Sequence, residues 1–312
     1  MGEAIAVLSL LLFSCNVILT KSASSRLNVQ TGYFISICVN VIVASLMVIL
    51  DHVILHHPFH LNARALLYFV VAGCFTTFLG RLTYFHSIVR LGASKASTFQ
   101  VANPVFTVIL AWLVIHETMT GVELLGCVCT VAGILTISYV PGAFWKRKAV
   151  KTESEPIVDE QQSNRSKESR IGLLFALLSV VTYGIGNIFR GEGIRLWNDP
   201  IFGGLVGAVM GLIAFLATNP RQLRSVTNVK GADPKGILMY AIGGVCTIYA
   251  QICVLAAMKY MSVGLVTVIS MSQPLLVIPL SVLVYRGSEK ITLRTAIGCL
   301  LALVGLVLAV AI

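Results

Sequence analysis

Charge is scarce in this chain, and that scarcity is the first constraint. Of 312 residues only 12% are charged, 57% are hydrophobic, and the mean hydropathy is +0.89. A soluble domain carries about 25% charged and about 45–50% apolar residues, so the soluble classes are excluded. Alternating ten-residue strands are missing, which excludes a transmembrane β-barrel. A disulfide framework is missing as well. Cys15, Cys38, Cys74, Cys127, Cys129, Cys246, Cys253 and Cys299 all fall inside apolar runs, where cysteine behaves as a small hydrophobe. No loop CxxC occurs, and Cys127 and Cys129 face different sides of a helix. "GASKAS" lacks the G-K-[ST] ending of a phosphate-binding loop, so ATP drive is not indicated. The first apolar run follows Glu3 with no basic residue before it, which is unlike a secretory leader. It reads as a retained helix.

What the chain has is apolar length. A spanning helix needs about 20 mostly apolar residues. Ten runs qualify: 4–20, 32–55, 64–88, 96–115, 121–141, 171–189, 201–218, 236–257, 263–285 and 294–312. The expected fold is an all-α integral membrane protein with ten transmembrane helices.

The chain also repeats itself. Asn16 matches Asn187 and Gly73 matches Gly244 at an offset of 171. Pro104 matches Pro274 at 170, and Glu117, Gly126 and Gly133 match Glu289, Gly298 and Gly305 at 172. Six anchors in order define two copies, residues 1–145 and 171–312. Each copy holds five helices. Five is odd, so the second copy enters from the opposite side, which is the inverted-repeat plan of many secondary transporters. Residues 146–170, within "WKRKAVKTESEPIVDEQQSNRSKESR", are polar and mixed in charge and read as a flexible linker.

The starts "LSLLLFSCNVILTK" and "LLSVVTYGIGNIFR" are similar, as are two longer stretches. The first is "YFHSIVRLGASKASTFQVANPVFTVILAWLVIHETMTGVELLGCVCTVAGILTIS". Its partner is "VLAAMKYMSVGLVTVISMSQPLLVIPLSVLVYRGSEKITLRTAIGCLLALVGLVLA". On these residues the chain resembles the drug/metabolite transporter superfamily, the ten-helix type built from two EamA-like repeats. The resemblance covers nearly the whole chain and rests on the duplicated order of features. It implies a secondary transporter whose central cavity is lined by helices 1, 3, 4, 6, 8 and 9.

Basic residues in short loops mark the cytoplasmic side. On the side of the termini lie Arg64, Arg190, Arg195 and Lys259. The other side holds Lys21, Arg26, Arg90, Lys95, Arg221, Arg224, Lys230, Lys235, Arg286, Lys290 and Arg294, and the linker adds seven more. Eighteen against four puts the linker side in the cytoplasm and both termini outside. The family default is the reverse, so the two signals conflict. The net charge of +10 is then a topology signal, and nucleic acid is not an expected partner. With no sorting signal visible, the location is read as a cell (inner) membrane, multi-pass.

Arg81 lies within the third span, about 13 Å along the helix from Arg90. An intramembrane charge faces the protein interior or a water-filled cavity, where it could bind a carboxylate. The competing reading is an arginine that snorkels to the interface. Gly80 adjoins it, and Tyr84 shares its helix face.

Pro104 removes a backbone hydrogen bond and crowds the carbonyl of Gln100, and Pro274 does the same to Ser270. Gln100 and Asn103 share a face, and Gln273 takes the place of Asn103 in the second copy. Paired breaks in two halves point to a binding site. A structural kink with bonded amides remains the alternative. Asn16, Asn187 and Gln251 join the set, with interhelical bonding the alternative for each. Tyr183 is a weaker member.

No Asp or Glu lies mid-span, and Glu117 and Glu289 sit at helix ends. Carboxylates in spans are common proton relays. Their absence disfavours a proton-coupled cation exporter and favours an anionic or zwitterionic metabolite such as an amino acid. A proton role for His86 stays open. "DHVILHHPFH" crowds His52, His56, His57 and His60 beside Asp51, but no cofactor or metal is expected there. Gly203, Gly207 and Gly211 recur every fourth residue, a pattern for close helix packing within the chain or at a dimer contact. The expected partners are a small-molecule substrate and the lipid bilayer, with the chain a monomer or homodimer. A membrane-embedded enzyme would need a clustered acid, base or metal set, and only the histidine loop offers one. A sensor with lost transport is the third reading, and the intact polar residues of both copies argue against it.

Overall fold

The computed structural model describes residues 1–54, 56, 61–91, 102–117, 119–138, 158–218, 233–273, 275–277 and 293–310. The described residues are helical, with no strand among them. In order come α1 (Gly2–Ser24), α2 (Val29–Ile49), α3 (Ala63–Gly73), α4 (Arg81–Leu91), α5 (Asn103–Val114) and α6 (Gly121–Ser138). Then follow α7 (Val158–Leu196), α8 (Pro200–Thr218), α9 (Pro234–Ala257), α10 (Val263–Met271) and α11 (Leu293–Val310). A π-helical turn, Cys74–Gly80, joins α3 to α4, so these two form one rod. Another, Leu50–Ile54, ends α2. The rods follow the ten-helix order expected from the sequence. Among the described residues, six helical stretches, Ala63–Tyr84 and Arg170–Leu196 among them, are long and apolar enough to cross a membrane. Shorter apolar helices accompany them.

Polar side chains cap the starts of several of these helices. The Asn62 side chain accepts from the N–H groups of Arg64 and Ala65 at 3.1 and 3.2 Å. Asp199, before Pro200, accepts from Phe202 N–H at 2.9 Å. Thr120 and Glu123 form a reciprocal capping box at the head of α6. A cap of this kind contributes about 1 kcal/mol. Outward faces carry Trp112, Leu113, Leu174 and Leu300, each more than half exposed, as lipid contact requires.

Packing between the halves comes in exchanged pairs. α1 lies along α9, and α7 lies correspondingly along the α3–α4 rod. α2 packs on α8, α5 on α10, and α6 on α11. The repeated glycines sit at these seams. A Cβ on Gly133 would stand 2.6 Å from the Gly298 carbonyl oxygen, and one on Gly305 would stand 2.7 Å from that of Gly126. The pair is exchanged by the repeat, since 126 answers 298 and 133 answers 305. Likewise Gly73 abuts Met210 on α8, and its mate Gly244 abuts Ser36 on α2, each at 2.8 Å. Real Cβ atoms do not come that close, so both seams require glycine. Gly203 packs on Phe69 and Gly211 on Thr77, inside one chain.

Two expectations are corrected. Val158–Arg170, read as part of a flexible linker, is helical and begins α7. The stretch "VDEQQSNRSKESR" is rich in good helix formers, with acids at its head where the helix dipole favours them. The sixth span also continues past 189 to Leu196, which takes Arg190 out of the loop in which its charge was counted.

Candidate functional site

Arg190 is the guanidinium that the sequence reading misplaced. It stands on α7, six residues before the helix ends at Leu196, on the face that also carries Asn187 and Tyr183 one and two turns back. Its Nη2 donates to Thr76 Oγ1 at 3.2 Å and to Gln251 Oε1 at 3.4 Å. Thr76 belongs to the first half and Gln251 to the second. Both acceptors are neutral. No Asp or Glu among the described residues forms an ion pair with Arg190.

The π turn explains how Thr76 gets there. One extra residue per turn widens the helix and frees backbone groups, and such turns recur at functional sites. Thr76 Oγ1 donates to the Ala72 carbonyl at 2.8 Å and lies 3.4 Å from Thr77 Oγ1. α7 can close on the turn because small residues face it. A Cβ on Gly186 would press on the Ala72 carbonyl and Thr76, and one on Gly80 would meet the Tyr183 ring at 3.1 Å. The π turn, α7 and α9 therefore converge on one polar group inside the bundle.

The other expected residues are placed as follows. Arg81 is the first residue of α4, directly after the π turn, and Tyr84 is partly buried one turn on. Asn16 accepts from Thr20 at 3.4 Å, and its Oδ1 lies against the Gly243 backbone of α9, so it serves the α1–α9 seam. Asn187 is 5% exposed and Asn103 is 2% exposed. Asn103 Oδ1 accepts from Thr107 at 3.4 Å. Gln100, Pro274, Glu289, His57 and His60 lie outside the described residues.

The proline break in the first copy differs in form from the expected kink. Asn103 and Pro104 are the first two residues of α5, where proline's missing N–H has no helical partner to lose. In the second copy α10 ends at Met271, capped by Ser272, and a helical turn resumes at Leu275. Gln273 sits in that interruption, and its carbonyl accepts from Val277 N–H at 2.9 Å. Just before it, Ser270 on α10 meets Ser9 on α1 at 2.8 Å, both buried.

The histidine cluster resolves into a contact between halves. His52 Nε2 lies 2.9 Å from Asp199 Oδ2 and 3.8 Å from Asp51 Oδ2. His56, at φ 56°, turns its Nδ1 to the Ile54 carbonyl at 2.9 Å. No group of three or more potential ligands able to hold a metal occurs among the described residues.

Comparison with known proteins agrees with this architecture. The profile of the EamA-like transporter family matches residues 1–139 and 170–311. An "Uncharacterized transporter" of Clostridium kluyveri (strain ATCC 8527 / DSM 555 / NBRC 12016 / NCIMB 10680 / K1) is 20% identical over 250 residues. That match covers 78% of this chain and 72% of the relative. A solved structure, described only as a crystal structure of a protein, superposes with a TM-score of 0.71 at 17% identity. It covers 99% of this chain and 97% of its own, and at that identity it speaks to the fold alone.

Proposed function

This chain belongs to the EamA-like transporter family, and on that premise we propose that it moves a small anionic or zwitterionic metabolite by alternating access. Residues 1–145 and 171–312 are the two moving halves. The seams of glycine and the polar contacts between them are the surfaces on which they rock. The substrate rests among Arg190, Gln251, Asn187 and the π turn, and Tyr84, Asn103 and Gln273 are further candidate contacts along its path.

One observation carries the reading: Arg190 stands in a membrane span, and its hydrogen-bond partners among the described residues are both neutral. A charged side chain within a span is costly and usually faces the protein interior or a water-filled cavity. Charge-assisted hydrogen bonds run to about 2.7–2.9 Å, and these two are longer at 3.2 and 3.4 Å. Two acceptors leave most of the five guanidinium N–H donors for a ligand. A carboxylate matches that fork and returns a strong bidentate pair. Arg81 stays in the set as a second cation at the end of the same π turn.

Arg190 inside the helix also sharpens the charge asymmetry of the loops. Three basic residues then remain at the edge on the side of the termini, Arg64 and Arg195 at helix ends and Lys259 in the turn after α9. The reading places that side outside and the linker, with its basic loops, in the cytoplasm.

The test is counterflow of labelled solutes in proteoliposomes. The account expects a carboxylate-bearing solute to exchange, and Arg190→Ala to remove the exchange while the protein stays folded. Exchange of cations alone, unaffected by Arg190→Ala, contradicts it.

A further inference from the structure

Glu117 was expected to be a plain helix-end acid. The structure gives it an unusual place. It follows α5, and the chain reaches it through His116, whose φ of 51° is left-handed. That conformation is sparsely populated by residues other than glycine and persists where neighbours hold it. Here the turn aims Glu117 inward, and its side chain is 7% exposed.

The carboxylate crosses to the other half. Oε1 accepts from Arg195 Nη2 at 2.6 Å and from the Val263 backbone N–H at 3.0 Å. Arg195 lies in the last turn of α7, and Val263 begins α10. One oxygen of the first half thus pins two helices of the second. Oε2 is buried and has no hydrogen-bond partner among the described residues. The arm behind Arg195 is different: Arg195 Nη1 meets Glu192 Oε1 at 3.0 Å, and that pair is open to solvent.

A cavity of about 860 Å³ opens at this end, with Glu117, Arg195, Met258 and Ser262 in its wall. Met258 is 4% exposed and Ile194 2%, so the wall closes over the bundle interior. Gly264, one residue into α10, lies against Met119 and Val108 of the first half. The turn after α5 is therefore a plug seated on the α7 and α10 ends.

We propose that Glu117 is a latch of the transport cycle: its bonds to Arg195 and to the head of α10 hold the bundle shut at this end, and access there requires their release. The proposal rests on the alternating-access reading above. Three features fit a part that must let go. The anchor is one oxygen, its twin oxygen is unsatisfied, and its backbone is strained. A permanent seam would satisfy both oxygens, since an orphaned buried acceptor costs stability.

The test is side-chain accessibility. In a chain cleared of its eight cysteines, Met258→Cys reports the closed wall and Tyr260→Cys, 54% exposed in the native residue, reports open surface. Labelling with a bulky maleimide is followed in lipid nanodiscs. Glu117→Gln keeps an acceptor for Val263 and removes the charge. It should speed labelling at the Met258→Cys site by about tenfold, equivalent to about 1.4 kcal/mol, and leave the Tyr260→Cys site unchanged. Arg195→Gln should do the same, Arg195→Lys should restore most of the protection, and Glu192→Gln should change nothing. Glu117→Gln that labels like the parent, in protein that elutes and melts normally, overturns the latch. Equal acceleration at both reporters overturns it too, because that is general loosening. Solute counterflow, run separately, distinguishes the two ideas. Persistent counterflow with unchanged labelling defeats the latch alone, and faster labelling with no counterflow of any solute defeats the transport reading alone.

Discussion

Thr76 in the first half accepts a hydrogen bond from Arg190 in the second, 3.2 Å away. The contact links the π turn of one repeat to the polar face of the other repeat's first helix. Gln251 completes the arrangement from α9 at 3.4 Å. Arg190 therefore bridges the first half and α9 of its own half.

Arg190→Lys should not substitute for Arg190. Lysine keeps the charge but loses the planar fork. A charged hydrogen bond contributes about 1.5–3 kcal/mol. The expected loss in substrate affinity is tenfold to a hundredfold or so for Arg190→Lys and more for Arg190→Ala. Titration of the purified variants by calorimetry checks it.

The glycine seams should be intolerant of side chains. Gly305→Val places carbon atoms against the Gly126 carbonyl and Thr130. Overpacking of this kind costs about 1–3 kcal/mol. Thermal unfolding should fall for Gly305→Val and for Gly133→Val, and much less for Gly121→Ala, which has open space around it.

Ser9 and Ser270 should be coupled. Their hydroxyls meet at 2.8 Å where α1 crosses α10, and Ser9 also lies 2.6 Å from the Ala6 carbonyl. Leaving one buried hydroxyl without its partner costs about 1–3 kcal/mol, while replacing both by alanine costs less than the sum. A double-mutant cycle on unfolding should show that shortfall. Strict additivity would mean the pair does not interact.

Acid should weaken one surface tie first. Asp233 caps α9, and its carboxyl is held below the usual range, chiefly by the hydrogen bond from Arg26 and then by the Lys235 N–H. A folded pKa below the unfolded one gives stability that is complete above the unfolded value and is lost as pH falls through the folded one. The unfolded carboxyl titrates near pH 4, about 3.9. Below about pH 4 the native protein should therefore lose melting temperature faster than Asp233→Asn. Parallel curves would show that the carboxyl does not tie α9 to the α1–α2 turn.

Much of this fold was legible because the repeat carries packing information. Glycines 126, 133, 298 and 305 were found as sequence anchors, and they prove to be the reciprocal contacts of α6 and α11. Asn103 and Pro104 marked a helix boundary correctly but not its form, since a proline reads alike at a kink and at a first turn. Arg190 was missed because hydropathy was allowed to end the span at 189. The period was a better guide: Tyr183, Asn187 and Arg190 recur at four and three, which is one helix face. The pairing of His52 with Asp199 could not be read at all. It joins positions 147 apart across two halves, and nothing local specifies it. The inward turn of Glu117 was equally hidden, because it depends on the left-handed backbone of His116.

The most direct measurement is a thermal-shift screen of the purified protein beside Arg190→Ala and Arg81→Ala. The solutes are amino acids, organic acids, nucleotides and organic cations. A ligand that binds only the folded state raises the melting temperature by mass action. The account predicts that a carboxylate-bearing solute stabilises the native protein, that Arg190→Ala abolishes the shift, and that Arg81→Ala reduces it less. A cation that stabilises the native protein and Arg190→Ala equally, with no response to any carboxylate, would contradict it.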